Sequence, residues 1–218
     1  MPSLKRIVAK SAVSFVDNDM IVGVGSGSTV REFIKELSKA DLRIKCVPTS
    51  HDTELLLLRH GIGIVSPLGV DHIDLAVDGA DSIVLNKKVI LKGGGGALTR
   101  EKIVDYVASK LVIIADYSKL NRIFPIVVEI IPCAYSLIYN RLSQIGRPEL
   151  RMGRSKLGPT ITDNGNWLVD IHIDMKFVSK ELEMEINSIP GVVENGIFHR
   201  DAYVLIARRE GFVEEIKI

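Results

Sequence analysis

The chain has 218 residues, 46% apolar and 25% charged, which is the balance of a globule holding one large domain or two small ones. Its 28 basic and 27 acidic side chains leave a formal net charge of +1, so no broad positive field draws in nucleic acid or an anionic membrane, and any partner must be recognised locally. The greasiest stretch, "FPIVVEIIPCAY", is broken by Pro125, Glu129 and Pro132 and falls short of the roughly 18 apolar residues that span a bilayer.

The opening "MPSLKRIVAKSAVSFVDND" carries Lys10, Asp17 and Asp19 where a signal peptide would be apolar, and it reads as a first helix. "MIVGVG" (20–25) reads as a strand, "TVREFIKELSKA" (29–40) as a helix, "RIKCV" (43–47) as a strand, and "DTELLLLRHG" (52–61) as a helix closed by Gly61. Strand-like runs follow at 73–78, 88–92 and 111–116, with a helix at 99–110 between the last two. Such alternation predicts an α/β fold: a Rossmann-like, mostly parallel sheet with helices on both faces.

Beyond Pro125 the texture changes. "IPCAYSLIYNRLSQIG" reads as a helix, "ELRMG", "TITDNGNWLVDIHID" and "AYVLIARR" as strands, and "SKELEMEINSI" as a helix ended by Pro190-Gly191. The expected organisation is an α/β domain at 1–125 and 201–218, with a small antiparallel α+β (ferredoxin-like) insertion at 126–200 that is a candidate for oligomerisation. Cys46 and Cys133 show no CxxC or Cys/His spacing, and are expected to be reduced, buried thiols of a cytoplasmic protein.

Ligands of open parallel sheets bind beyond the carboxyl ends of the strands. Here those ends carry "GSGST" (25–29), "PTS" (48–50), "DGAD" (78–81), "KGGGG" (92–96) and "DYSK" (116–119). "GVGSGS" has the look of a dinucleotide fingerprint, but the second strand ends in Pro48-Thr49-Ser50 instead of the acidic residue a ribose needs, so NAD is not expected. Amides and hydroxyls of Ser26, Gly27, Ser28 and Thr29 at a helix start make a candidate anion site; the plain alternative is a tight turn in which Ser28 or Thr29 caps the helix.

Asp78 and Asp81, separated by Gly79 and Ala80, can face one cavity if cations or ligand hydroxyls offset their charge. Lys92 is the candidate cation, against the commoner fate of a solvated lysine. The tetraglycine Gly93, Gly94, Gly95, Gly96 costs backbone entropy, and in return lets an oxygen-rich ligand touch several amide N–H groups. Glu101 opens a helix whose buried face is expected at Ile103, Val104, Val107 and Leu111. At the edge of that face it is a candidate base for a carbon-bound proton, or else a glutamate favoured by the helix dipole. The five histidines are scattered and carry no metal spacing.

In order along the chain, "GVGSGST", "PTS", "DGAD", "KGGGGALTREK" and "ADYSK", followed by "TDNGNW" and "PGVVENGIF", closely resemble ribose-5-phosphate isomerase of the A type over nearly the whole length. The resemblance implies interconversion of ribose 5-phosphate and ribulose 5-phosphate without metal or cofactor. It makes Glu101 the base that moves a proton between C2 and C1. It gives Asp78 and Asp81 to the substrate hydroxyls, with Asp78 assisting ring opening, and Lys92 with the glycine amides of 93–95 to the enediolate oxygens. Gly79 and Ala80 line the substrate, while Ser26, Gly27, Ser28, Thr29 and Lys119 hold it and its phosphate. A homodimer or dimer of dimers is implied as well. Family members commonly read "GTGST" and "DGADE" where this chain has Ser26 and Ser82. Two other readings are a non-catalytic sugar-phosphate sensor, for which a first strand starting near residue 20 leaves no room for a DNA-binding module, and an amino-sugar phosphate deaminase.

Overall fold

The computed structural model describes residues 3–155 and 157–218, so Met1 and Pro2 of the expected first helix lie outside the described residues. In chain order the helices are α1 (Leu4–Val13), α2 (Ser28–Leu37), α3 (His51–Arg59), α4 (Leu98–Val107), α5 (Tyr135–Leu142) and α6 (Lys180–Asn187). The strands are β1 (Ile21–Val24), β2 (Lys45–Pro48), β3 (Leu75–Gly79), β4 (Ser82–Val84), β5 (Val89–Leu91), β6 (Lys110–Asp116) and β7 (Ile126–Ile130). They continue with β8 (Arg147–Leu150), β9 (Trp167–His172), β10 (Val192–Asn195), β11 (Ile197–Phe198), β12 (Tyr203–Ala207) and β13 (Val213–Lys217). These elements form two compact units, one made of the residues up to Ala80 with Arg100–Leu120 and Arg200–Ile218, the other of Asp81–Thr99 with Asn121–His199.

The first unit holds a six-stranded sheet in the order β13-β12-β6-β3-β1-β2, parallel throughout except for β13, which runs antiparallel to β12. Strand side chains alternate between faces. On one face Val22, Val24, Leu75, Val77, Val112 and Ile114 pack with Val8, Ala12, Phe33 and Ile34 of α1 and α2. On the other, a Cβ at Gly23 would stand 2.4 Å from the Cγ1 atom of Val104, so only glycine lets α4 approach the strand so closely.

Expectations for the 88–92 run and for α4 are corrected. Run 88–92 is not a parallel strand of the main sheet: β5 pairs antiparallel with β4 and β11 in a three-stranded sheet of the second unit. Parallel pairing needs a crossover of a dozen or more residues, and the short turn through Leu85–Lys87 permits only a hairpin. On α4, Ile103 and Val107 are 57% and 59% exposed, whereas Glu101, Lys102, Val104 and Asp105 are buried. Val104 is buried as expected, and so is Leu111, which lies on β6; the inward face of the helix also carries carboxylates, so counting apolar residues misplaces Ile103 and Val107.

The second unit contains the order β7-α5-β8-β9-α6-β10 folded into an antiparallel sheet β10-β7-β9-β8, which is the ferredoxin-like split βαβ arrangement. Ile138, Leu142, Leu182 and Ile186 of its helices pack with Val128, Ile130, Val169 and Ile171. Cys133 sits exposed in the surface turn Pro132–Ala134, contrary to expectation, while Cys46 is buried and its thiol is pushed up to about 12 by desolvation.

A buried carboxylate fixes the turn before β9. Glu129 is fully buried; one of its oxygens accepts from Thr162 Oγ1 at 2.9 Å, Asn164 Nδ2 at 3.0 Å and Asn166 Nδ2 at 2.8 Å, and the other from Thr99 Oγ1 at 2.6 Å. Glu129→Gln should cost about 2–3 kcal/mol, because an amide turns one acceptor into a donor facing donors. In thermal unfolding this appears as a midpoint lowered by roughly 4–12 °C.

Candidate active site

Because β1, β2, β3 and β6 are parallel, their carboxyl ends share one edge of the first unit, which carries Gly25–Thr29, Thr49 and Ser50, Asp78–Ala80 and Asp116–Lys119. Val24 stands in register with Pro48 and Val77, so Gly25, Thr49 and Asp78 come level on adjacent strands. Asp78 is fully buried and occupies the space a side chain at position 25 would need: a Cβ there would lie 1.8 Å from its Oδ1. That oxygen accepts from the N–H of Gly79 at 2.6 Å and of Ser26 at 3.2 Å.

Glu101, in the first turn of α4, is only 4% exposed. Ser26 Oγ donates to its Oε1 at 2.5 Å. Ser26 therefore touches both carboxylates, one through its hydroxyl and one through its amide. Gly27, with φ +97°, is the N-cap residue of α2 and brings no side chain, so neither Ser28 nor Thr29 caps the helix. Its dipole and first-turn amides point to the carboxyl edge of the sheet. Lys119 lies half-buried in the turn after β6.

One residue of this edge is not legible in the sequence. Lys5 Nζ donates to Ser28 Oγ at 2.9 Å, placing a cation at the 26–29 turn. A lysine in an N-terminal helix carries no local signal; the packing of α1 on α2 is what brings it there.

In the second unit Lys92 is 3% exposed, with Nζ 5.6 Å from the ring centroid of Phe198, so it is not a solvated strand-end lysine. Gly93 and Gly96 have φ of +107° and +81°, and Gly96 N donates to Gly93 O at 3.0 Å to close a tight turn. Added Cβ atoms would collide at Gly93 with the Cβ of Val127, 2.7 Å away, and at Gly94 with Asp81 Oδ1, 2.6 Å away. Asp81 accepts from Gly94 N at 2.8 Å through Oδ2. The glycines thus serve the protein first: they let the turn close and hold Asp81. Among the described residues no group of three or more His, Cys, Asp or Glu side chains is arranged to hold a metal ion.

Residues 45–211 match the family model described as ribose 5-phosphate isomerase A (phosphoriboisomerase A). The chain belongs to this family. The matched span holds Asp78, Asp81, Lys92, the tetraglycine, Glu101 and Lys119. Ribose-5-phosphate isomerase A of Methanocaldococcus jannaschii is 43% identical over 217 residues, 95% of each chain. A solved structure of the isomerase from the same organism superposes with a TM-score of 0.94 at 42% identity, covering 99% of this chain and 98% of that one. A D-ribose-5-phosphate isomerase in complex with phospho-erythronic acid gives a TM-score of 0.92, also at 42% identity with 99% and 98% coverage. The 25–29 turn and Lys5, upstream of the family-model span, fall within the structural match. Among the described residues no helix is long and apolar enough to cross a membrane.

Proposed function

We propose that the chain interconverts ribose 5-phosphate and ribulose 5-phosphate, a step of the non-oxidative pentose phosphate pathway, with Glu101 as the one group that carries the carbon-bound proton. The supporting observation is the buried Glu101, held by Ser26, whose amide in turn holds Asp78. Aldose and ketose differ by one hydrogen moved from C2 to C1 and one proton moved from O2 to O1. In the open-chain aldose the C2 proton is acidified by the C1 carbonyl. Glu101 removes it, the charge passes to O1 as an enediolate, the O2 proton moves across to O1, and the same carboxylic acid returns the carbon-bound proton to C1 as the C2 carbonyl forms. One carboxylate suffices because both carbons lie on one face of the intermediate.

A general base contributes about 10²–10⁴-fold, so donors aimed at the enediolate oxygens must supply much of the remainder. Lys92 and the amides of Gly93 and Gly95 fit this role, those of Gly94 and Gly96 donating to Asp81 and to Gly93 O. Asp78 takes the anomeric hydroxyl proton and passes one to the ring oxygen as the furanose opens, and Asp81 orients further hydroxyls. The phosphate takes the start of α2, with Ser28, Thr29, Lys5 and Lys119 around it. We place the enzyme in the cytoplasm as a homodimer or dimer of dimers, which light scattering measures.

The test is turnover of ribose 5-phosphate beside glucosamine 6-phosphate; activity on the second alone would favour a deaminase, and on neither a sensor. Exhaustive chelation should leave the activity intact, since the proton transfer needs only side chains and amides. A chelator-induced loss restored by a divalent ion would overturn that mechanism.

A further inference from the structure

A trans peptide is planar, so its C=O and N–H point in opposite directions, and whatever grips the carbonyl also aims the N–H. Each of the two site aspartates receives an N–H from a peptide gripped in this way. In the first unit the peptide joins Gly25 to Ser26. Its carbonyl accepts from Thr53 Oγ1 at 2.7 Å, and its N–H donates to Asp78 at 3.2 Å. Thr53 is 2% exposed, and its hydroxyl proton is directed, because Thr53 Oγ1 accepts from Ser50 Oγ at 3.0 Å while Ser50 Oγ accepts the Thr53 amide at 3.1 Å. The relay Ser50 to Thr53 to Gly25 has one direction, and its far end is the Asp78 carboxylate seated where Gly25 has no side chain.

In the second unit the peptide joins Gly93 to Gly94. Its carbonyl accepts from Arg151 Nη1 at 2.8 Å, and its N–H donates to Asp81 at 2.8 Å. Arg151 is itself fixed by Asp170, donating through Nε at 2.9 Å and through Nη2. Both clamps act from behind, on the side of the peptide away from the carboxylate.

We propose that Thr53 and Arg151 are positioning residues, each aiming one site aspartate through a clamped glycine peptide. This rests on the isomerase reading, in which Asp78 serves ring opening and Asp81 substrate binding. It has a consequence that separates positioning from general damage. Ribose 5-phosphate is a furanose and must open before C2 is reached, whereas ribulose 5-phosphate, its terminal oxygen phosphorylated, cannot close a five-membered ring and meets Glu101 open. Ser26 keeps the hydroxyl that holds Glu101 when Thr53 is changed, so Thr53 should matter far more for the aldose than for proton exchange on the ketose.

The experiment uses the full-length protein with Thr53→Val, which keeps the shape and removes the donor, and Thr53→Ser, which restores it. Thr53→Val should lower kcat on ribose 5-phosphate about 10-fold or more, as a displaced catalytic group does. Exchange of the C1 proton of ribulose 5-phosphate with deuterated solvent should stay within about 2-fold of the wild type, and Thr53→Ser should recover most of the turnover. Arg151→Lys, which cannot reach both Asp170 and Gly93 with one ammonium, should raise KM about 10-fold with a smaller change in kcat. Wild-type turnover in Thr53→Val, or an equal loss of turnover and exchange, would overturn the Thr53 clamp, and an unchanged KM in Arg151→Lys would overturn the second. A wild-type chain inactive on ribose 5-phosphate would instead remove the isomerase reading, and both clamps with it.

Discussion

Glu101→Gln should fold as the wild type does and lose at least about 10²-fold in kcat on ribose 5-phosphate, the lower end of a general base's contribution. The substitution is close to isosteric and retains an acceptor oxygen for Ser26 Oγ, so the 2.5 Å contact that places the side chain has a counterpart in the variant. Glutamine and glutamate have similar helix propensity, so α4 should keep its first turn. What is lost is the basic lone pair. KM should move far less than kcat, because in the proposed mechanism the sugar is held by Asp78, Asp81, Lys92 and backbone amides, none of which is altered. A variant with nearly normal kcat would reduce Glu101 to a buried structural acid and leave Asp78 or Asp81 as the base.

Unphosphorylated ribose should be a very poor substrate. Charge-assisted hydrogen bonds contribute about 1.5–3 kcal/mol each, so losing those from Lys5 and Lys119 alone corresponds to roughly 10²–10⁴-fold in kcat/KM. The loss should fall on kcat as well as on KM, because binding energy from a remote phosphate is used to hold the reacting carbons against the base. Steady-state kinetics on the two sugars measure both. Comparable efficiency would show that the 26–29 turn, Lys5 and Lys119 do not form a phosphate site.

Features set by short-range chemistry were legible in the sequence. Alternating apolar runs with glycine and hydroxyl turns marked β1, α2, β2 and β6, and the change of texture after Pro125 marked the ferredoxin-like elements. Features set by distant packing were not. That Val89–Leu91 pairs antiparallel with Ser82–Val84 follows from a turn too short for a crossover, although the run itself reads like any parallel core strand. The inward face of α4 was hidden because its buried positions include Glu101, Lys102 and Asp105, acceptable inside only where partners meet them. Lys5, Thr53 and Arg151 lie 23, 28 and 58 positions from the residues they grip, Ser28, Gly25 and Gly93, and no local pattern joins such pairs.

The measurement closest to the central claim is proton nuclear magnetic resonance of ribose 5-phosphate incubated in deuterated water with the wild-type chain and, separately, with Glu101→Gln. The wild type should produce ribulose 5-phosphate and wash the C2 proton of the remaining aldose into solvent, while the variant, at equal concentration and folded by circular dichroism, should leave both signals unchanged on the same timescale. Exchange at C2 by the variant at the wild-type rate, or no conversion by the wild type, would contradict the assignment of Glu101 as the group that carries the proton.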